Sequence, residues 1–213
     1  MKHVLIAAVV VALAVPAVAG FNPNCKMFVH LDTDTTCDAT DASTVVNEIL
    51  SPTAFTSYYA FIGLTELGVL EGAPPEQNGI KVLSFMINDM VTDYPTAIAT
   101  QSFTNLLPGN LMIGDPFDGG ATVSSTTCRL APFQIIGYIQ VFYLGGGATI
   151  ELLDHEQYPR WVVDCQTPGQ VDYYCVWKNG GLGMTAPAGD GGCVADTPVE
   201  SSTWSSIKAM YHN

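Results

Sequence analysis

Positive charge is scarce in this chain. Only 7 of its 213 residues are Lys or Arg, against 20 Asp and Glu, and the formal net charge is -13. Phosphate backbones are held through clustered Lys and Arg, so nucleic acid is not an expected partner. Anionic membrane surfaces are set aside for the same reason. Charge of either sign is thin, at 13% of residues, where globular chains carry roughly a quarter. Polar surface must come from Thr, Ser, Asn, Gln and Gly instead. That composition suits exported β proteins and subunits of surface assemblies.

Helical periodicity is missing as well. After residue 20 no stretch of useful length repeats its apolar residues at helical spacing, and no internal repeat occurs. Catalytic signatures are also wanting. There is no CxxC pair for zinc, no GxSxG elbow and no Cys beside a His. His155-Glu156 begins a zincin-like pattern, but Pro159 stands where the second His belongs. Gly145, Gly146 and Gly147 lead into the strand-like residues 148–153, whereas a phosphate loop leads into a helix. Glu151, Asp154 and Glu156 are close in sequence, yet nothing in their spacing sets two across a cleft as glycoside hydrolysis requires. A hydrolase therefore ranks last, and no enzyme is expected.

What is present is an export signal followed by β pattern. Lys2, the apolar run 4–15 and Ala17-Val18-Ala19 have the form of a secretory signal peptide. Residues 1–19 are read as that signal, and the mature chain is expected to start at Gly20 or Phe21, to carry no membrane span and to lie outside the cell or on its surface. Residues 20–50 form an acidic lead-in, 51–178 a β domain, and 179–213 an irregular C-terminal segment.

The strongest β signal is residues 134–153. Ile135, Ile139, Val141 and Tyr143 alternate on one face with Gly137. Gln134, Ile136, Tyr138, Gln140, Phe142 and Leu144 share the other. The triple glycine allows positive φ, and 148–153 is expected to return beside the first strand as a hairpin. Further strands are expected over 55–62, 80–87, 161–165 and 171–177, with weaker ones at 94–103 and 110–113 and an edge strand over 121–130. Short strands with frequent turn signals indicate an all-β fold, an antiparallel β-sandwich of cohesin-like or jelly-roll type with little helix.

Six cysteines in an exported chain imply disulfides: Cys25, Cys37, Cys128, Cys165, Cys175 and Cys193. Sequence alone leaves the pairing open. The preferred set joins Cys25 to Cys37, Cys128 to Cys165 and Cys175 to Cys193. The second pair is favoured because the outer ends of the expected hairpin would be neighbours.

Asp32, Asp34, Asp38 and Asp41 form an acidic loop with oxygen ligands of the kind calcium takes. An EF-hand would need Gly at its sixth position and Glu at its twelfth, where Cys37 and Ser43 stand. The competing reading is a solvated loop, so no cofactor is assigned and calcium is the alternative. Trp161, Trp177, Trp204, Tyr158, Tyr173 and Tyr174 supply aromatic surface for carbohydrate or protein, set against ordinary strand packing.

The stretch GNLMIGDP (109–116), Cys128, the segment 134–153 and Asp164-Cys165 together resemble the cohesin-like β-sandwiches of uncharacterised exported bacterial proteins. The resemblance spans 58–165 and implies the sandwich. Cohesins bind dockerin modules, but this chain has neither a dockerin pattern nor a scaffold linker, so that partner is not carried over. The expected function is a secreted, non-enzymatic structural or interaction protein, such as a subunit of a surface layer or filament. A carbohydrate- or calcium-binding module is the alternative.

Overall fold

A computed structural model describes residues 22, 25–68, 79–109, 111–129, 132–166 and 169–190. Residues 1–19, read above as a signal, lie outside the described residues, as do Cys193 and Trp204. The described chain is mostly β, and its one α-helix is a single turn, α1 (Met90–Asp93). No described helix is long and apolar enough to cross a membrane.

Five strands make the first sheet. They are β1 (Lys26–Asp32), β3 (Thr56–Thr65), β5 (Ile98–Asn105), β8 (Phe133–Tyr143) and β13 (Cys175–Lys178), in the order β13-β1-β3-β8-β5. The second sheet contains β4 (Ile80–Ile87), β6 (Leu111–Asp115), β7 (Gly120–Arg129), β11 (Trp161–Asp164) and β12 (Val171–Tyr173). Its order is β12-β11-β4-β7-β6, with β10 (Leu152–Leu153) also beside β4. A small third sheet joins β2 (Glu48–Ile49), β14 (Gly180–Leu182) and β9 (Ala148–Ile150) in the order β2-β14-β9. Pairing is antiparallel except at β1–β13 and β2–β14.

One apolar cluster draws on both larger sheets. Met27, Val29, Ile62, Leu64, Ile139 and Val141 come from the first, and Ile80, Leu83, Phe85, Ile87, Val123 and Val162 from the second. Leu83, Phe85 and Ile87 face inward together, as their alternation predicts.

The expected hairpin does not form. β8 has β3 on one side and β5 on the other, so no edge is left for the returning chain. The glycine turn, with Gly145 and Gly146 at positive φ, instead carries the chain out of the first sheet. Residues 148–153 then divide, β9 pairing with β14 and β10 with β4. A triple glycine supplies reversal without dictating which strand is met next.

The facial reading of β8 also needs correction at its start. The register with β3 shifts where Ile62 faces Gly137 and Gly63 faces Ile135, leaving Ile136 in the bulge. A bulge inserts one residue and exchanges the two faces on either side of it. Ile136 therefore joins Ile139, Val141 and Tyr143 inside. Ile135 packs on the outer cluster of Phe28, Ala39 and Val45.

The segment 171–177 is likewise two strands. β12 belongs to the second sheet and β13 to the first, and the chain changes sheets at Tyr174. Tyr174 is buried at that corner and donates its hydroxyl to the Ser84 carbonyl at 3.1 Å. The Thr/Ser-rich strand β7, expected at an edge, lies between β4 and β6. Within the stretch 20–50, β1 sits inside the first sheet between β13 and β3. The apolar piece within it, MFVHL, is core strand.

Cys128 and Cys165 are bonded, with Cα atoms 5.8 Å apart. The reason differs from the expected one. Arg129 at the end of β7 and Asp164 at the end of β11 both pair with Ile80, the first residue of β4. The disulfide thus ties together the two strands that flank β4 at its beginning. Cys175 is also disulfide-bonded, while its expected partner Cys193 lies outside the described residues.

Cys25 and Cys37 are free, contrary to expectation. Cys25 packs into the main core, whereas Cys37 packs with Phe28 in the cluster on the opposite face of β1. A disulfide needs Cα atoms within about 7 Å, which the intervening sheet forbids. Burial pushes both thiols up, Cys25 most, with Asp172 and Glu66 adding to it. A protonated, covered thiol is a poor nucleophile. Both thiols are expected to resist an aromatic disulfide reagent in the native protein, Cys25 entirely, and to react at once in denaturant. Fast native labelling of Cys25 would contradict this packing.

Candidate functional site

The four acidic residues do not converge. Asp34 turns back on its own loop and accepts the Thr36 N–H at 2.7 Å. Asp41 caps the short turn Ala42–Thr44. The Ser43 hydroxyl, then the Ser43 and Thr44 N–H groups, hold its carboxyl below the usual carboxylate range. Both carboxylates thus serve local turns, as Asp does at loop starts.

Asp32 and Asp38 do approach each other, around a residue that the spacing argument passed over. His30, Asp32 and Asp38 place their ligating atoms within 4.8 Å of one another. His30 and Asp32 are two apart on β1 and so share its outer face. His30 is buried, and its Nδ1 accepts the Val46 N–H at 2.9 Å. With Nδ1 occupied as acceptor, the neutral ring carries its proton on Nε2 and donates it to Asp38 Oδ1 at 2.8 Å. A metal on Nε2 would have to displace that proton, while the Nδ1 lone pair is already taken by the Val46 N–H. The imidazole therefore works as a fastener, pinning the strap 33–47 over β1 at two points. Leu31 N–H to Val46 carbonyl, at 2.7 Å, is a third. Asp32 Oδ2 is buried without a hydrogen-bond partner, 3.8 Å from His30 Nε2.

The carboxylates near residue 155 are each engaged separately. Glu151 accepts from the Thr149 hydroxyl at 2.7 Å, and that hydroxyl meets Tyr94 Oη at 2.5 Å. Asp154 and Asp190 both pair with Arg160, which ties the segment after β14 to the turn before β11. Glu156 lies beside Gly119, to whose carbonyl its N–H donates.

His155 is buried against Gly120 and Tyr158. Its Nδ1 accepts the N–H groups of Gln157 at 3.1 Å and Tyr158 at 3.3 Å. Burial lowers its pKa, and the Glu156 charge opposes this only in part. The unfolded chain then takes up the proton first as pH falls below the ordinary histidine value of about 6.5. The stability from His155 is full above that value and is lost as pH falls through the lowered folded value. Urea midpoints at pH 7 and pH 5 should therefore differ less in His155→Gln than in the parent. An equal difference in both proteins would contradict the assignment.

The aromatic residues mostly pack. Tyr174 is buried, Trp177 meets Phe28 edge-on at 6.4 Å, and Trp161 meets Tyr158 at 4.9 Å. Tyr173 is exposed.

The most open feature is an edge strand. β6 closes one side of the second sheet, paired with β7 from Leu111↔Ser124 to Asp115↔Gly120. All five of its residues are exposed. Ile113 is 67% exposed, Leu111 54% and Met112 37%, and Leu106 nearby is 43%. Among the described residues no strand pairs with its other side. Sequence reasoning saw this stretch only as a weak strand. Apolar residues between the Pro108-Gly109 turn and Asp115-Pro116 read the same whether a core or solvent receives them.

No protein-family model, curated protein or solved structure matches the chain.

Proposed function

We propose that this is an exported, non-catalytic structural or interaction protein of the cell surface or matrix, which associates by strand addition at β6. We further infer that the two larger sheets form a sandwich of the cohesin-like or jelly-roll kind. The observation that carries the functional reading is the exposed five-residue edge of β6, apolar on both faces at Leu111, Met112 and Ile113. Soluble proteins usually blunt such an edge with Lys, Pro or a covering loop. Here Leu111, Met112 and Ile113 have none of these within the strand. A bare edge offers backbone groups for pairing and apolar side chains for grip. The export signal, the disulfide and the low charge are consistent with a surface role. Light scattering over a concentration series, with electron microscopy of the same samples, tests it. Mass that rises with concentration is expected, and a monomer at every concentration would overturn it.

Calcium binding is a second reading with one observation in its favour. Asp32 Oδ2 is buried without a hydrogen-bond partner beside Asp38. Calorimetric titration with calcium that gives heat in the parent but not in Asp32→Asn would support it. No heat above buffer in the parent would remove it.

A further inference from the structure

β6 is an edge supplied by a stretch of chain that carries almost no charge. From Tyr94 to Ile150 the only charged residues are Asp115, Asp118 and Arg129, a net of -1 in a chain of net -13. That stretch supplies β5 and β6, which are edge strands of the two larger sheets and follow one another in the chain. It also supplies their inner neighbours β8 and β7. The exposed residues of this rim are Ala99, Thr100, Ser102 and Thr104 on β5, then Leu106 and the whole of β6. The acidic excess lies elsewhere, including the strap with Asp34, Asp38 and Asp41, all exposed. A cationic partner would be drawn to that strap and not to this rim. A second copy is repelled by most of the molecule and meets least repulsion here.

Resting on the association reading above, we infer that β6 pairs antiparallel with β6 of an identical copy across a two-fold axis at Ile113. Among two-fold registers, the one centred on residue 113 lets all five residues of each strand find a partner. Residue 112 then faces 114 of the copy, and 111 faces 115. The second sheets of both copies continue through the junction. Leu111 and Ile113 share one face of β6, and two-fold pairing within a sheet keeps faces together. Two leucines and two isoleucines thereby form a single apolar patch, the cross-strand arrangement that stabilises sheets. Each Asp115 lies opposite Leu111 of the other copy. The two Asp115 residues are four positions apart along the strands, about 14 Å, beyond the screening length of about 8 Å at physiological salt. An isologous contact of this kind closes on itself, so the product is a dimer and not a growing chain.

Cysteine crosslinking of the full mature chain in a Cys37→Ser background tests the register. Ile113→Cys is expected to give a disulfide-linked dimer under mild oxidation, because paired Cα atoms in antiparallel strands lie about 4.5–5.5 Å apart. Leu111→Cys and Asp115→Cys should each stay uncrosslinked alone, and crosslink when mixed. Ile113→Lys should weaken dimerisation by at least about tenfold. Its unfolding temperature should match the parent's at a concentration where both are monomeric, since the side chain is then in solvent. Association seen by light scattering without the Ile113→Cys crosslink would overturn this pairing and leave the association reading intact, as would unlimited fibres. A parent that stays monomeric at all concentrations would overturn both.

Discussion

Replacing Cys128 and Cys165 together by serine is expected to cost about 4 kcal/mol of stability. The two cysteines are 37 residues apart, and closing a loop of that length removes a corresponding share of the unfolded chain's entropy on the loop-closure account. The enclosed segment contains β8, the strand that holds β3 to β5. In the oxidised protein the unfolded chain cannot carry β8 far from the body, while in the variant it can. The crosslink also holds β7 and β11 together where β4 begins. Urea denaturation followed by tryptophan fluorescence should show the midpoint of the double variant far below the parent's. Excess reductant, which also opens the Cys175 bond, should bring the parent down to that value or below it. A midpoint within error of the parent would mean that the sheets hold this corner without the bond.

Gly137→Ala should cost more than about 3 kcal/mol, the upper end for overpacking a core. A Cβ at Gly137 would stand 2.4 Å from the Thr104 carbonyl oxygen and 2.5 Å from the Phe103 ring. A ring can turn aside. The carbonyl cannot, because Thr104 pairs with Tyr138 in the β5–β8 ladder. Relief requires β5 to lift from β8 where the bulge has already disturbed the pairing with β3. By contrast Gly145→Ala meets nothing closer than 3.9 Å, although its positive φ imposes some strain. The gap between the two midpoints is the measured quantity. If Gly137→Ala unfolds no earlier than Gly145→Ala, the close approach of β5 to β8 is wrong.

Much of the strand content was legible because alternation and β-branched or aromatic runs are local properties. β4 falls on the expected span, and β3, β8 and β11 fall close to theirs. Pairing partners were not legible, because they are chosen by residues far away in the chain. The triple glycine marked a reversal, but both edges of β8 were already taken by strands that precede it. Places where one run serves two sheets were hidden for a related reason. At Tyr174 and Glu151 the local pattern continues while the hydrogen bonding changes owner. The bulge at Ile136 had one visible sign, Gly137 inside an apolar run, since glycine within a strand often marks a bulge or a close approach.

The acidic loop was half legible. Its carboxylates were plain, but two of the four serve turns, and the organising group is His30 on the strand before them. The alternation of His30 and Asp32 on one face of β1 was a signal that spacing among the aspartates alone does not weigh. The exposure of β6 was not legible, since burial depends on what covers a strand.

Backbone hydrogen exchange over β6, at low and at high protein concentration, tests the central claim most directly. If β6 is the surface of association, protection of the alternate β6 amides that point away from β7 will increase with concentration, while the distant edge strands β12 and β13 remain unaltered. Exchange at β6 that stays equally fast at both concentrations, while light scattering reports larger particles, would place the contact elsewhere and contradict the account.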